Sequence, residues 1–229
     1  MSQETEIKLK IADPAALKKS LKKLGAVAAN PGASRVHEWN VIFDTPQGGL
    51  AKHGQLLRIR TETAGDGRKG GKAAPKPRVV LTFKRPAIPA YQATEAAGAG
   101  TFAPAGRHKV REEIEVEVAD GKVLAQIFEG LGMSGWFRYE KYRTTLKLPG
   151  TKSWAKGLLI EVDETPVGTY VELEGPPEAI DRAAQELGYS KKEYVLKNYL
   201  TLYAEDCRRR GETPRDMVFP EKARAARSV

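Results

Sequence analysis

One cysteine, Cys207, stands in a chain of 229 residues, so no internal disulfide can form and a reducing compartment is expected. Histidine is almost as scarce. His37, His53 and His108 are isolated from one another and from Cys207, a spacing that excludes a zinc scaffold and leaves each as an expected surface or supporting group. No apolar run approaches the roughly 18 residues of a membrane-spanning helix. The start, MSQETEIK, lacks the charged-then-apolar layout of a signal peptide, so a soluble, cytoplasmic protein is expected. Aromatic residues are 7% of the chain, and none interleave with its basic clusters, which argues against a nucleic-acid-reading surface. No internal repeat is present.

Charge is abundant. Lys and Arg outnumber Asp and Glu by 38 to 29, a formal net charge of +9, and an anionic partner is the physical expectation. The 41% hydrophobic content is enough for a sizeable core. What matters is where the charges fall. In ETEIKLK, which opens at Glu4, period two sends Ile7, Leu9 and Ile11 to one face and Glu4, Glu6, Lys8 and Lys10 to the other. Two carboxylates about 6.6 Å apart on a strand repel by roughly 2.5 kcal/mol at an effective dielectric of about 20. Water or a cation must relieve that repulsion.

The chain alternates strands with helices. Asp13 caps a helix with Pro14 first and Leu17, Leu21 and Leu24 on one face, ending at Gly25. Residues 34 to 45 and 55 to 62 read as antiparallel strands about a turn at Pro46, Gly48 and Gly49. The stretches 64 to 77 and 86 to 108 lack periodicity and read as mobile loops either side of the strand VVLTFKR. Further strands are expected at VREEIEVEV (110 to 118), FRYEKYRTTLKL (137 to 148), GLLIEVDET (157 to 165) and TYVELEG (169 to 175). Helices are expected over 120 to 131, with Gly132 as the stop, over 176 to 187, and from about Lys192 to Arg210. One domain over 1 to 206 and a loosely held basic tail over 207 to 229 complete the expected organisation.

Like charges share a face on strand after strand: Glu4 with Glu6, Arg58 with Arg60, Glu113 with Glu115, Lys141 with Arg143, and Glu172 with Glu174, while Lys84, Arg111 and Asp163 add further charges on these faces. A merely wet sheet face mixes signs and includes Ser, Thr and Gln. Segregated charge suits a cavity for an anion and its cations. Carboxylate pairs are hard oxygen ligands for magnesium or manganese, and arginine forks and lysines suit phosphate oxygens.

The ordered blocks Glu4-x-Glu6-x-Lys8, IFDT (42 to 45), LRIR (57 to 60), LTFK (81 to 84), REEIEVE (111 to 117), EKYR (140 to 143), EVDE (161 to 164) and YVELE (170 to 174) resemble the CYTH superfamily, the triphosphate tunnel metalloenzymes. The resemblance spans roughly residues 3 to 200. It implies an α+β fold: a closed eight-stranded antiparallel β-barrel, helices packed outside and a charged tunnel within. It also implies that a divalent cation, Mg2+ or Mn2+, is bound through Glu4, Glu6, Glu172 and Glu174, with Asp163, Glu113 and Glu115 at a second metal. Lys8, Arg58, Arg60, Lys84, Arg111, Lys141 and Arg143 would hold the triphosphate. Lys8, Glu113 and Asp163 are the implied catalytic groups, Lys8 orienting the attacking water.

The expected reaction is hydrolysis of inorganic triphosphate or of a nucleoside triphosphate such as ATP. Class IV adenylyl cyclases, the alternative, carry a His-Phe pair before the first strand that is missing here; animal thiamine triphosphatases carry a tryptophan where this chain has Leu56. Trp39, Trp136 and Trp154 are expected to pack in or against the barrel, with Trp39 also able to neighbour a nucleobase. A non-catalytic polyphosphate- or nucleic-acid-binding module is the third reading. Its footprint would be Lys69, Lys72 and Lys76 with Arg208, Arg209, Arg210, Arg215, Lys222, Arg224 and Arg227. Paired glutamates count against it, because they repel an anion unless a cation intervenes.

Overall fold

The alternating segments close into a ring of strands. The structure, a computed structural model, describes residues 2–30, 35–64, 76–87 and 107–220. Its elements are β1 (Ser2–Ile11), α1 (Pro14–Leu24), β2 (Val27–Ala28), β3 (Val36–Asp44), α2 (Gly49–Lys52), β4 (Leu56–Ala64), β5 (Arg78–Pro86), β6 (Lys109–Glu117), α3 (Gly121–Gly130), β7 (Ser134–Lys147), β8 (Leu159–Thr165), β9 (Gly168–Glu174), α4 (Pro177–Glu186) and α5 (Tyr199–Arg210). Around the ring the order is β7-β3-β4-β5-β6-β1-β9-β8, and the pairing of β8 with β7 closes it. All eight junctions are antiparallel, and the two-residue β2 adds to β7 beyond β3. This is the closed eight-stranded α+β barrel expected from the sequence, with five helices among the described residues.

The apolar faces point outward and are covered by helices. Ile7, Leu9 and Ile11 of β1 join Ile160, Val171 and Leu173 against Leu17, Leu21 and Leu24 of α1 and Ile180, Ala183 and Ala184 of α4. Each fully buried aliphatic side chain contributes roughly 1.5–3 kcal/mol. A second patch sets Phe43 and Ile59 under Phe128 of α3. The ends of α1 follow the sequence: the Asp13 carboxylate accepts from Ala15 N and Ala16 N, and Gly25 takes the left-handed cap at φ 73°. Asp44, in the IFDT block, accepts from the amides of Thr45, Leu50 and Ala51, so this buried aspartate organises the turn into α2.

Two expectations need correction. The last helix starts at Tyr199 rather than Lys192, because Asn198 caps it by accepting from Thr201 N, while residues 191–193 form a 3-10 turn closed by Ser190 and Glu193. The segment after Arg210 is not loose over its described part. Met217 lies in the wall: Met217 N donates to Arg138 O at 2.9 Å, Glu140 N donates to Met217 O at 3.1 Å, and the Met217 side chain is wholly buried. Phe219 N donates to the buried Glu140 carboxylate at 2.6 Å. β8 pairs with β7 only from Tyr142 onward, so the edge at Arg138–Glu140 is left open and residue 217 fills it. Val195 does the same beside β1, exchanging two backbone hydrogen bonds with Lys8 beyond the point where β6 ends opposite Glu6. Lys69, Lys72, Lys222, Arg224 and Arg227 lie outside the described residues.

Candidate functional site

Glu4, Glu6 and Lys8 turn into the barrel because Ile7 and Leu9 turn out, and the same parity carries every other charged block inward. One end of the lumen is floored by an apolar cluster of Ile42, Phe137, Tyr139, Tyr170, Tyr199 and Met217. Two of its hydroxyls meet the charged layer above. Arg58 Nη1 donates to Tyr139 OH at 2.9 Å, and Tyr199 OH donates to Asp163 Oδ2 at 2.7 Å. The Lys8 and Lys141 ammonium groups stand 5.4 and 5.2 Å from the centre of the Tyr199 ring.

In the layer above this floor, charges neutralise one another. Asp163 is fully buried and receives Arg143 Nε at 2.7 Å, Arg143 Nη2 at 2.6 Å and Lys141 Nζ at 2.8 Å as well as Tyr199. Arg143 also reaches Glu172 at 2.6 Å and pairs with Glu161, and both Lys141 and Arg143 lie 3.6 Å from Glu38. Lys8 bridges Glu6 at 3.3 Å and Glu172 at 3.2 Å. Burial opposes ionisation of Glu38, but Lys141 and Arg143 outweigh it and bring the carboxyl down to about 2. Burial likewise opposes ionisation of Glu6, and Lys8 and Lys109 hold it well below the usual carboxylate range. Glu161 goes the other way: burial, with Glu172 and Asp163 adding repulsion, pushes it up to about 8.

Carboxylates crowd on the β1–β5–β6–β9 side. Lys84 Nζ donates to Glu4 at 2.6 Å and lies 3.1 Å from Glu113, so one ammonium serves both. Glu174 rises to about 7 through burial, with Glu4 and Glu113 adding repulsion; Glu113 is raised by burial and by Glu4 and Glu115. Glu115 accepts from Thr82 Oγ1 at 2.7 Å and from Arg60 at 3.3 Å.

Thus Glu4, Glu113 and Glu174 form one group, Glu6 and Glu172 flank Lys8, and Glu115 faces Arg58 and Arg60. Asp163 is enclosed by its donors. Arg111 leans away, donating to Gly54 O at 2.5 Å. Among the described residues no three His, Cys, Asp or Glu side chains are yet arranged around one metal position. The donor set still fits a hard divalent cation, since Glu4, Glu113 and Glu174 are oxygen ligands whose mutual repulsion a cation would relieve.

Lys109, Glu38, Asn40, Glu161, Thr82, Tyr139 and Tyr199 also line the lumen or its floor. Lys109 donates to Glu6 at 2.5 Å and shares the parity of Arg111 and Glu113, a signal present in the sequence. Trp39 alternates with Glu38 and Asn40 and so faces outward, which removes it as a neighbour of a lumen-bound base. His37 meets Glu140, His53 meets Gly49 O and His108 meets Asp181, all away from the lumen charges.

Comparison with solved structures gives a putative adenylate cyclase from Vibrio parahaemolyticus at a TM-score of 0.63 and 14% identity, covering 87% of this chain and 96% of that one. The PH1819 protein of Pyrococcus horikoshii aligns at 0.62 and 21% identity, over 89% and 99% of the two chains. A putative adenylyl cyclase from Hippeastrum, described as revealing a dominant triphosphatase activity, aligns at 0.50 and 21% identity, over 92% and 97%. At these identities the likeness is one of fold. A comparison with curated proteins finds no match. The CYTH domain as a family matches residues 2–199, nearly the whole described barrel, and the chain therefore belongs to the CYTH family of triphosphate tunnel proteins.

Proposed function

We propose that this protein hydrolyses the terminal phosphate of inorganic triphosphate, or of a nucleoside triphosphate, with Mg2+ or Mn2+. The observation that carries the reading is the lumen: arginines and lysines in its wall, an apolar floor below, and its tyrosines, Tyr139 and Tyr199, engaged beneath the charges rather than free to stack on a base. Cyclisation requires the ribose hydroxyl and base to be gripped in one pose, and Trp39 faces the wrong way to help. The Hippeastrum protein's dominant triphosphatase activity supports the same choice.

Lys8, Lys141, Arg143, Arg58 and Arg60 would take the inner phosphates, exchanging carboxylate partners for phosphate oxygens, while Lys84 and Lys109 hold the outer ones. Arg111 would join them by releasing Gly54 O. Glu4, Glu113 and Glu174, with Glu6 and Glu172 beside Lys8, would hold the divalent cation. When bound, it neutralises phosphate charge and so removes the repulsion between substrate and carboxylates. Asp163, tied to Lys141, Arg143 and Tyr199, would keep the two cations aimed into the lumen before substrate arrives.

The test is product analysis by chromatography after incubation with inorganic triphosphate, ATP or thiamine triphosphate and Mg2+ or Mn2+. Phosphate and diphosphate from inorganic triphosphate, formed faster than ATP is consumed, are expected. Cyclic AMP and diphosphate as the main products of ATP, with inorganic triphosphate turned over poorly, would make the protein a cyclase. Binding of triphosphate without turnover of any substrate would make it a polyphosphate-binding module.

A further inference from the structure

Five buried polar atoms on neighbouring strands β3 and β4 lack a hydrogen-bond partner among the described residues: Asn40 Nδ2, Asn40 Oδ1, Glu38 Oε2, Arg58 Nε and Arg60 Nε, the last of which is ion-paired with Glu62 at 2.8 Å. Asn40 is wholly buried and Glu38 is 1% exposed. Both side chains take the inward parity of β3, about 7 Å apart along the strand. Asn40 stands in register between Arg60 and Tyr139. Glu38 is near enough to Lys141 and Arg143 to share their charge, at 3.6 Å from each. A buried carboxamide left unpaired on both sides costs on the order of 1–3 kcal/mol per group, so such a corner is expected to hold a small polar molecule.

The chemistry of the corner narrows what that molecule is. Arg58 Nε and Asn40 Nδ2 are donors and suit phosphate oxygens. Asn40 Oδ1 and Glu38 Oε2 are acceptors and repel them. A water molecule satisfies both acceptors with its two hydrogens and keeps a lone pair for a third neighbour.

We infer that Asn40 Oδ1 and Glu38 Oε2 hold the attacking water, with its lone pair directed at the terminal phosphorus that Arg58, Lys141 and Arg143 grip. This deepens the hydrolase reading and rests on it. The water oxygen forms the new P–O bond, and the bond from that phosphorus to its bridging oxygen breaks. The electron pair leaves with the diphosphate. One water proton stays on the released phosphate and the other ends on the diphosphate, so inorganic triphosphate and water give hydrogen phosphate and hydrogen diphosphate without a further reactant. Orientation of the nucleophile, rather than strong base catalysis, is what a phosphoryl transfer of this kind needs from the wall.

The test uses the full-length protein with inorganic triphosphate and its preferred divalent metal, measuring kcat and KM beside calorimetric binding of imidotriphosphate, an analogue that is not cleaved. Asn40→Ala is expected to lower kcat on the order of a hundredfold, with KM and analogue affinity within about threefold of the parent. Asn40→Asp keeps the acceptor oxygen and is expected to retain more kcat than Asn40→Ala. Glu38→Gln, which keeps the shape of the side chain and one acceptor oxygen, is likewise expected to retain more kcat than Asn40→Ala. A raised KM and weakened analogue binding with kcat preserved in Asn40→Ala would show that the amide grips phosphate, and overturn the inference. So would unchanged kinetics, or lost kcat together with lost analogue binding. If the parent protein itself makes cyclic AMP or no product, the hydrolase reading fails first and this assignment with it; an active parent confines any failure to Asn40 and Glu38.

Discussion

At the inner end of the tunnel Asp163 accepts from Arg143, Lys141 and Tyr199, whereas across the lumen Glu4 and Glu113 share one ammonium and Glu174 is pushed toward neutrality beside them. The same residue types are used in opposite ways. Near the floor, cations are matched to carboxylates with little exposure, so the wall is already ordered before any ligand arrives. On the side of Glu4, Glu113 and Glu174, negative charge is in excess, and the site is completed by what enters it. An anion approaching such a lumen alone meets carboxylates as well as cations, so entry together with a divalent cation is the electrostatically favoured route.

Removing the inner cation gives the largest effect. Arg143→Ala leaves Asp163, Glu161, Glu172 and Glu38 short of compensation and is expected to cost about 3–5 kcal/mol in urea unfolding, besides abolishing turnover. Lys84→Ala on the other side should cost less than half as much, since Glu113 is already raised by burial and a divalent cation can stand in for the ammonium beside Glu4. Equal losses would erase the distinction between the two sides. Tyr199→Phe tests the anchor more gently. It keeps the ring under Lys8 and Lys141 and removes one hydrogen bond to a buried carboxyl group that also meets two cations, an expected loss of about 2 kcal/mol by the same measurement. No change would mean that Asp163 is held by its cations alone.

The smallest effect lies in pH. The folded Glu174 carboxyl is raised to about 7 from an ordinary value of 4.5, so its stabilising protonated state is fully present below about 4.5 and is lost as pH climbs through 7. Glu161, raised to about 8, acts in the same direction. Metal-free protein should therefore lose stability between pH 5 and 8 through these groups. Glu174→Gln should flatten that slope by on the order of 1 kcal/mol, read from urea midpoints across the range. Added Mg2+ or Mn2+ should restore stability at pH 8 in the parent and less so in Glu174→Gln. An unaltered slope would show that Glu174 is not in the crowded carboxylate group.

Much of the barrel was legible from alternation. Ile7 and Leu9 outside require Glu6 and Lys8 inside, and the same logic orders Arg58 with Arg60 and Lys141 with Arg143. Glu38 and Asn40 obey it too, but as single polar groups on a strand with Val41, Ile42 and Phe43 they give no repeated charge pattern to notice. The short β2 and α2 contain too few residues to show a period. The final helix starts later than local propensity suggests: Lys192 and Glu193 are good helix formers, but Val195 is drawn instead into pairing with Lys8.

What the sequence determined by itself is the side of the wall on which each charge stands, because strand parity is a local property of the backbone. The tertiary structure alone decided which charges meet. Tyr199 reaches Asp163 across 36 residues, Met217 fills an edge of β7 that only the divergence of β8 leaves open, and Lys84 serves Glu4 from the far side of an 80-residue separation. Such contacts depend on ring closure and on which strand edges remain unpaired, and neither is encoded in any short window of residues. The tunnel's charged lining is thus written locally, whereas its apolar floor and the uneven balance of charge between its two sides arise only when the barrel closes.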